Sequence, residues 1–274
     1  MSLTIARPSS LLSGFVKQYW AIEHVLSVGE EHMQRIIPCG LPDFTFYFKD
    51  KPRVIHKDHT LSGNSQVSGH RKGYLDLQIK GELSLFSIVF HPQAMMLLFD
   101  FPIQELFDQY VPLKDIFRND ADQLEASLFE APSFSEKVRI TEHFLCQRIY
   151  QKAKDYECNR IFHTISKINQ TKANIGIDEL ASEVCLSRKQ FERTFSKYIG
   201  TSPKLFLRTV RFQNVLFEKG KNDDFKLTAL AHHCGYFDQS HMIGEFKTFT
   251  GMTPGKYFSE GEVFSDYFNE YSAD

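Results

Sequence analysis

Apolar positions along this 274-residue chain change period once, near Pro92. Before it they alternate or run in short blocks between turn residues. Residues 43–48 alternate in part and are rich in Phe, Thr and Tyr, as strands are, and residues 83–90 form the clearest strand. Residues 39–42 and 50–52, and the pairs Gly63-Asn64, Ser68-Gly69 and Lys72-Gly73, punctuate this region, while residues 11–20 read equally as a short helix or an opening strand. Short strands so punctuated predict a small sandwich or barrel. From Pro92 the spacing turns helical. Residues 94–99 and Leu106-Phe107 fit short helices broken at Pro102. Val138, Ile140, Phe144, Leu145 and Ile149 mark a longer helix over 134–151. A polar join near 152–158 divides the chain into a β-rich domain with a helical end (1–154), a helical domain (155–260) and a tail (261–274).

The helical domain contains a duplication. In residues 228–257, Leu227, Leu230 and Ala231 make one apolar face, and Gly235 breaks the helix where a positive φ is easily supplied. Asp238 can cap the next helix. Met242, Phe246 and Phe249 recur at i, i+4 and i+7, and Thr253-Pro254 starts a further helix. About fifty residues upstream, Leu180-Ala181 matches Leu230-Ala231, Ser187 matches Asp238, and Phe191 and Phe195 match Met242 and Phe246. Residues 200–203 match 251–254, and Phe206 matches Tyr257. The copies differ by one residue at the turn, where Cys185-Leu186 faces Gly235-Tyr236-Phe237. Each copy has the helix-turn-helix arrangement.

With these residues in place, the stretch from about 161 to 258 resembles the DNA-binding domain of the AraC/XylS family of transcription regulators. The resemblance is closest in residues 235–241, in Gly251-Met252-Thr253-Pro254 and in Tyr257. It implies an α+β protein: a small cupin-like β-sandwich with helices, which rests on layout, then an all-α domain of two helix-turn-helix units joined by a linker helix. The implied partners are double-stranded DNA, RNA polymerase, and a small-molecule effector or a second copy in a homodimer.

Which residues would read DNA follows from the helical faces. In the first unit, residues 177–184 support and 187–199 recognise, with Ser187 and Gln190 as a capping box. Phe191, Phe195 and Tyr198 turn inward, leaving Lys189, Glu192, Arg193 and Ser196 outward and Arg188 and Lys197 at the flanks. Arg193 can grip guanine at two points, Lys189 less rigidly, and Glu192 can accept from cytosine. The family's base-contacting positions fall on these three. In the second unit, Gln239 can pair with adenine, Ser240 with a base edge or a phosphate, and Lys247 with phosphate, while His241 either buttresses the helix or touches a phosphate. Gly244 stands where many relatives carry a long basic residue, so this unit is expected to work mainly through backbone and shape. The linker helix, 202–220, carries Arg208 and Arg211, which either touch phosphate or tie the two units together. As a rigid spacer it would set the recognition helices one DNA turn apart, ~34 Å.

Charge sharpens this picture only when divided. The whole chain has a net charge of −2. Residues 161–259 carry 14 Lys/Arg against 9 Asp/Glu, whereas 260–274 carry five acids and no base. A locally basic domain with an acidic tail suits DNA. The opening residues contain no apolar run fit for a signal peptide and no segment is long enough to span a bilayer, so a cytoplasmic protein with no membrane partner is expected.

Other chemistry is sparse. Cys39, Cys146, Cys158, Cys185 and Cys234 are scattered, and are expected to be small buried residues rather than metal ligands. His24, His32, His56, His59, His70 and His91 include no His-x-His pair and read as exposed or loop histidines. No nucleophile motif or phosphate-cradling loop is visible, so no catalytic residue, metal or cofactor is expected. A cupin-like enzyme fused to a DNA-binding domain, and a regulator whose first half serves only assembly, are the competing readings. The 26 Phe suggest Phe-rich strands that line either a small-molecule pocket or a dry core.

Overall fold

The computed structural model describes residues 2–55, 59–152, 156–222 and 224–259. The acidic tail therefore lies outside the described residues. Strands β1 (Ser2–Ala6), β2 (Val16–Val25), β3 (Glu31–Ile36), β4 (Asp43–Tyr47), β5 (Arg53–Val54), β6 (His59–Thr60), β7 (Ser65–Ser68), β8 (Leu75–Lys80), β9 (Glu82–Phe90) and β10 (Tyr110–Pro112) form two antiparallel sheets. One runs β1-β2-β9-β4-β7-β10 and the other β3-β8-β5-β6. Residues 11–20 thus resolve as a turn leading into β2, and β10 interrupts the stretch that the helical spacing suggested.

The larger sheet is buried on both faces, which explains why residues 83–90 read as a nearly continuous apolar run. Ile22, Tyr47 and Leu85 meet Val54, Leu77 and Ile79 of the smaller sheet. On the opposite face Tyr19, Phe44, Phe46, Phe86 and Phe90 meet helices. These are α1 (Met95–Leu98), α2 (Leu113–Phe117), α3 (Asn119–Glu130) and α4 (Phe134–Lys152). Phe134 and Phe144 of α4 pack edge-on against Phe86 and Phe117, both at 5.8 Å. Such geometry favours the ring quadrupoles.

The second half contains α5 (Tyr156–Gln170), α6 (Ile177–Glu183), α7 (Arg188–Ile199), α8 (Pro203–Lys221), α9 (Leu227–His233), α10 (Gln239–Thr250) and α11 (Pro254–Ser259). The linker helix α8 serves both units. Phe206, near its start, packs on Phe195 of α7 at 5.6 Å. Phe212, two turns on, meets Phe246 and Phe249 of α10 at 5.2 and 5.0 Å. None of the helices in the described residues is long and apolar enough to cross a membrane.

Candidate nucleic-acid interface and internal cavity

The two recognition helices, α7 and α10, are built alike. Each is 12 residues long, each is capped at its start by a side chain, and each ends at a left-handed glycine. Ser187 and Gln190 form the reciprocal capping box, with Gln190 N–H donating to Ser187 Oγ at 3.4 Å and Ser187 N–H to Gln190 Oε1 at 3.2 Å. Asp238 Oδ1 accepts from His241 N–H at 2.7 Å. The closing glycines, Gly200 and Gly251, have φ of 90° and 75°. The turns also correspond: Cys185 (φ 55°) occupies the place of Gly235 (φ 77°). Leu186 N–H returns to the Ala181 carbonyl as Tyr236 N–H does to that of Ala231. The extra residue of the second copy is therefore Phe237, which points outward at 86% exposure.

On α7, Lys189 and Arg193 are exposed and have no hydrogen-bond or ion-pair partner among the described residues. Arg188 is engaged: its Nε meets Glu192 Oε1 at 3.1 Å and its Nη1 meets Asp178 Oδ2 at 3.0 Å. These are exposed pairs, of a kind that contributes about 0–1 kcal/mol, so a phosphate can displace them. Lys197 donates to the Tyr198 hydroxyl at 3.1 Å. On α10, Ser240, Gly244 and Lys247 are exposed, whereas Gln239 is half-buried and accepts from the Thr228 hydroxyl at 2.6 Å.

His241 and the two linker arginines have structural partners. Arg208 Nε donates to the buried Glu245 at 2.7 Å, and His241 Nε2 stands 3.5 Å from the same carboxylate. Arg211 Nη1 reaches the Gly235 carbonyl at 3.4 Å. The described contacts of both arginines run from the linker helix to the second unit. Sequence reasoning passed over Lys204, an exposed residue beside Gly244 in a groove between α8 and α10; its position next to the helix-starting Pro203 was the available signal.

A partly open cavity of about 130 Å³ lies between the two sheets. Its walls correct the expectation of a Phe-lined pocket. Trp20, Ile22, Leu77, Ile79 and Leu85 supply the apolar surface, and the strand phenylalanines point to the opposite face of the larger sheet. Alternation along each strand separates the two sets. Polar groups converge at one end, where Asp43, Ser68, Arg71 and Tyr110 face inward; none was singled out from the sequence, because each looks like ordinary strand or turn composition. Burial raises the Asp43 carboxyl to about 7, against the opposing pull of Arg71.

The histidines also differ from expectation. His24 and His32 lie on strands at the cavity wall, with rings 6.3 Å apart. His70 is buried between the two halves, edge-on to Phe206 at 5.6 Å and hydrogen-bonded to the Ile199 backbone, and burial lowers its pKa to about 4. His56 lies outside the described residues. Among the described residues no group of three or more His, Cys, Asp or Glu could share a metal ion. Cys185 is exposed and Cys39 and Cys146 are half-buried, so among these four described cysteines Cys234 alone fits the expected buried cysteine.

The cavity rim doubles as the contact with the helical half. Gln213 Nε2 donates to the Pro38 carbonyl at 2.7 Å, and Ile37 is buried in the core of the second unit. A Cβ on Gly73 would stand 3.2 Å from the Thr248 carbonyl.

Two family models match separate parts of the chain. Residues 4–112 match the model of a domain of unknown function (DUF6597), and residues 180–260 match that of a helix-turn-helix domain. An uncharacterised HTH-type transcriptional regulator of Haemophilus influenzae is 28% identical over 154 residues, covering 53% of this chain and 51% of the relative. The HTH-type transcriptional regulator ArgR of Pseudomonas aeruginosa is 31% identical over 107 residues, covering 35% and 31%. The chain thus spans about half or less of the length of these relatives. The structure of ToxT from Vibrio cholerae superposes with a TM-score of 0.48 at 10% identity, covering 88% of this chain and 98% of that one.

Proposed function

We propose that this chain, whose C-terminal half is a helix-turn-helix domain of the AraC type, is a sequence-specific DNA-binding transcription regulator with a small-molecule sensor in its first half. The observation that carries the reading is the pair of matched, capped recognition helices on one linker helix, with Lys189 and Arg193 exposed on the first and unpartnered among the described residues. In this reading residues 1–154 sense or dimerise and 155–260 bind DNA. Arg193, Lys189 and Glu192 read base edges, with lesser contributions from Gln239, which must release Thr228, and Ser240. Arg188, Lys197, His241 and Lys247 hold phosphates and set the register. RNA polymerase and a second copy of the chain are the macromolecular partners that fit such a regulator.

Sensing is favoured over a purely structural first half because the cavity has convergent polar groups instead of a closed aromatic core. Its rim also touches both units, so a ligand that shifts residues 69–74 acts directly on the DNA-binding half.

Selection of bound duplexes from a random pool, with the full chain, tests the DNA reading. A defined motif is expected, and Arg193→Ala should weaken its binding by ~1–3 kcal/mol and relax preference at one position. An unaltered footprint and preference would remove Arg193 from base readout.

A further inference from the structure

The polar end of the cavity is an ordered row. Register places Asp43 opposite Ser68 on β7, and Ser68 opposite Tyr110 on β10, so the three side chains lie abreast on the cavity side of the larger sheet. Arg71 lies across this row. Its guanidinium sits 4.0 Å from the Tyr110 ring centroid and Nη2 donates to Ser68 Oγ at 3.1 Å. No ion pair joins Arg71 to Asp43; the carboxylate has only a 3.5 Å contact from the Thr45 hydroxyl. A carboxyl and a guanidinium therefore face one small cavity with no ion pair between them.

Burial penalises the charged form of the Asp43 carboxyl, which has no cationic partner in contact to offset that penalty. A ligand that supplies a cation to Asp43 offsets that penalty, and an anion on the same ligand would pair with Arg71. The two must lie close together, because the Ser68 that Arg71 holds stands opposite Asp43 on the adjacent strand. Beyond the row the wall is mainly apolar, with Trp20, Ile22 and Leu85 leading away from it and His24, His32 and Gln34 as its polar members. An apolar cavity of ~150 Å³ takes up benzene, so a volume of about 130 Å³ holds a body of comparable size.

We propose that the cavity binds a free α-amino acid with an apolar side chain, its ammonium on Asp43, its carboxylate on Arg71 and Ser68, and its side chain against Trp20 and Ile22. This deepens the sensor reading above and rests on it. Carrying both charges distinguishes such a ligand from a simple amphiphilic acid, which would leave Asp43 buried and unanswered. Arg71 follows His70, whose ring touches Phe206 and the end of α7, so the anchor of the carboxylate adjoins the DNA-binding half.

The test is calorimetric titration of the full chain with leucine and phenylalanine, each beside its deaminated acid (4-methylpentanoate, 3-phenylpropanoate) and its decarboxylated amine (3-methylbutylamine, phenethylamine). At least one amino acid is expected to bind ~10-fold or more tightly than both of its single-charge analogues, because a site built to pair a group discriminates against ligands that lack it. Asp43→Asn should reduce amino-acid affinity while leaving or improving that of the acid. Equal binding of acid and amino acid, or binding of neither amino acid by the wild-type chain, would overturn the proposal. The wild-type comparison stands even if the variant folds poorly. Duplex binding without added ligand, measured in parallel, judges the regulator reading separately.

Discussion

Arg35 on β3 donates from Nη1 to the carbonyl oxygen of Thr250, the last residue of α10, at 2.9 Å. The same guanidinium grips both oxygens of Asp76 at 2.6 and 2.8 Å and lies 4.1 Å from the Tyr74 ring centroid. The final carbonyls of a helix lack partners within it, and here the sandwich supplies one. The second recognition helix is thereby fixed to the sheet that closes the cavity.

Arg35→Met should therefore act on stability and on the coupling of the halves together. It removes a charge-assisted hydrogen bond and leaves Asp76, whose side chain is 14% exposed, without its bidentate partner. A loss of ~1–3 kcal/mol is expected from urea unfolding. An Arg35→Met chain as stable as the parent would show that the Thr250 contact is incidental.

Alanine at two glycines should move stability in opposite directions. Gly200 has φ 90°, and a Cβ there would lie 2.9 Å from Ile103 Cγ2 and 3.0 Å from the Ile103 carbonyl oxygen. Gly200→Ala forces a left-handed alanine against backbone and is expected to cost ~2 kcal/mol or more. Gly244 lies mid-helix with nothing within 4 Å of an added Cβ. Gly244→Ala should stabilise by ~0.5–1 kcal/mol. Thermal unfolding of the two variants beside the parent reads both signs, and a shared sign would contradict the assignment.

These two glycines also show what the chain reveals before folding. Gly200 was legible as a helix stop because its cap, breaker and following proline repeat at Gly251. What Gly200 touches was not, because Ile103 lies about a hundred residues away in a segment of weak pattern. The same division holds at the sites. Lys189 and Arg193 are local: a helix period and two inward phenylalanines place them on the outer face. The cavity is not. Asp43, Ser68 and Tyr110 meet only through strand pairing, and Arg71 only through a turn, so no spacing rule brings them together. The strand phenylalanines misled for the same reason. A sheet buried on both faces is apolar on both, and only its register says which face borders the cavity.

Acid should expose an opposition between Asp43 and His70. His70 has a folded pKa of about 4 against an ordinary 6.5, so between those values the unfolded chain holds the extra proton and stability falls as pH falls. Asp43 has a folded pKa of about 7 against an ordinary 3.8, so here the folded chain holds the extra proton and stability rises as pH falls. Over pH 4–6.5 the two contributions offset each other. Asp43→Asn should therefore steepen the loss of stability on acidification, and His70→Asn should reduce it. Urea midpoints from pH 4.5 to 7.5 provide the measurement; parallel curves for all three chains would discount both titrations.

Gly244→Arg is expected to strengthen DNA binding through charge. The position is solvent-exposed on α10, and it borders the groove that also holds Lys204 and His241. A guanidinium there adds one candidate phosphate contact without displacing a neighbour. Each phosphate neutralised on duplex DNA changes the slope of log K against log salt by about 0.9, so the variant's slope should steepen by that amount. Helix propensity alone would also favour the variant, since arginine replaces a mid-helix glycine. Gly244→Ala separates the effects: it shares the gain in helix stability but adds no charge, and its salt slope should match the parent's. Fluorescence anisotropy with one duplex across a salt series reads all three chains. A slope for Gly244→Arg equal to that of Gly244→Ala would mean that this face of the second unit does not approach the phosphate backbone.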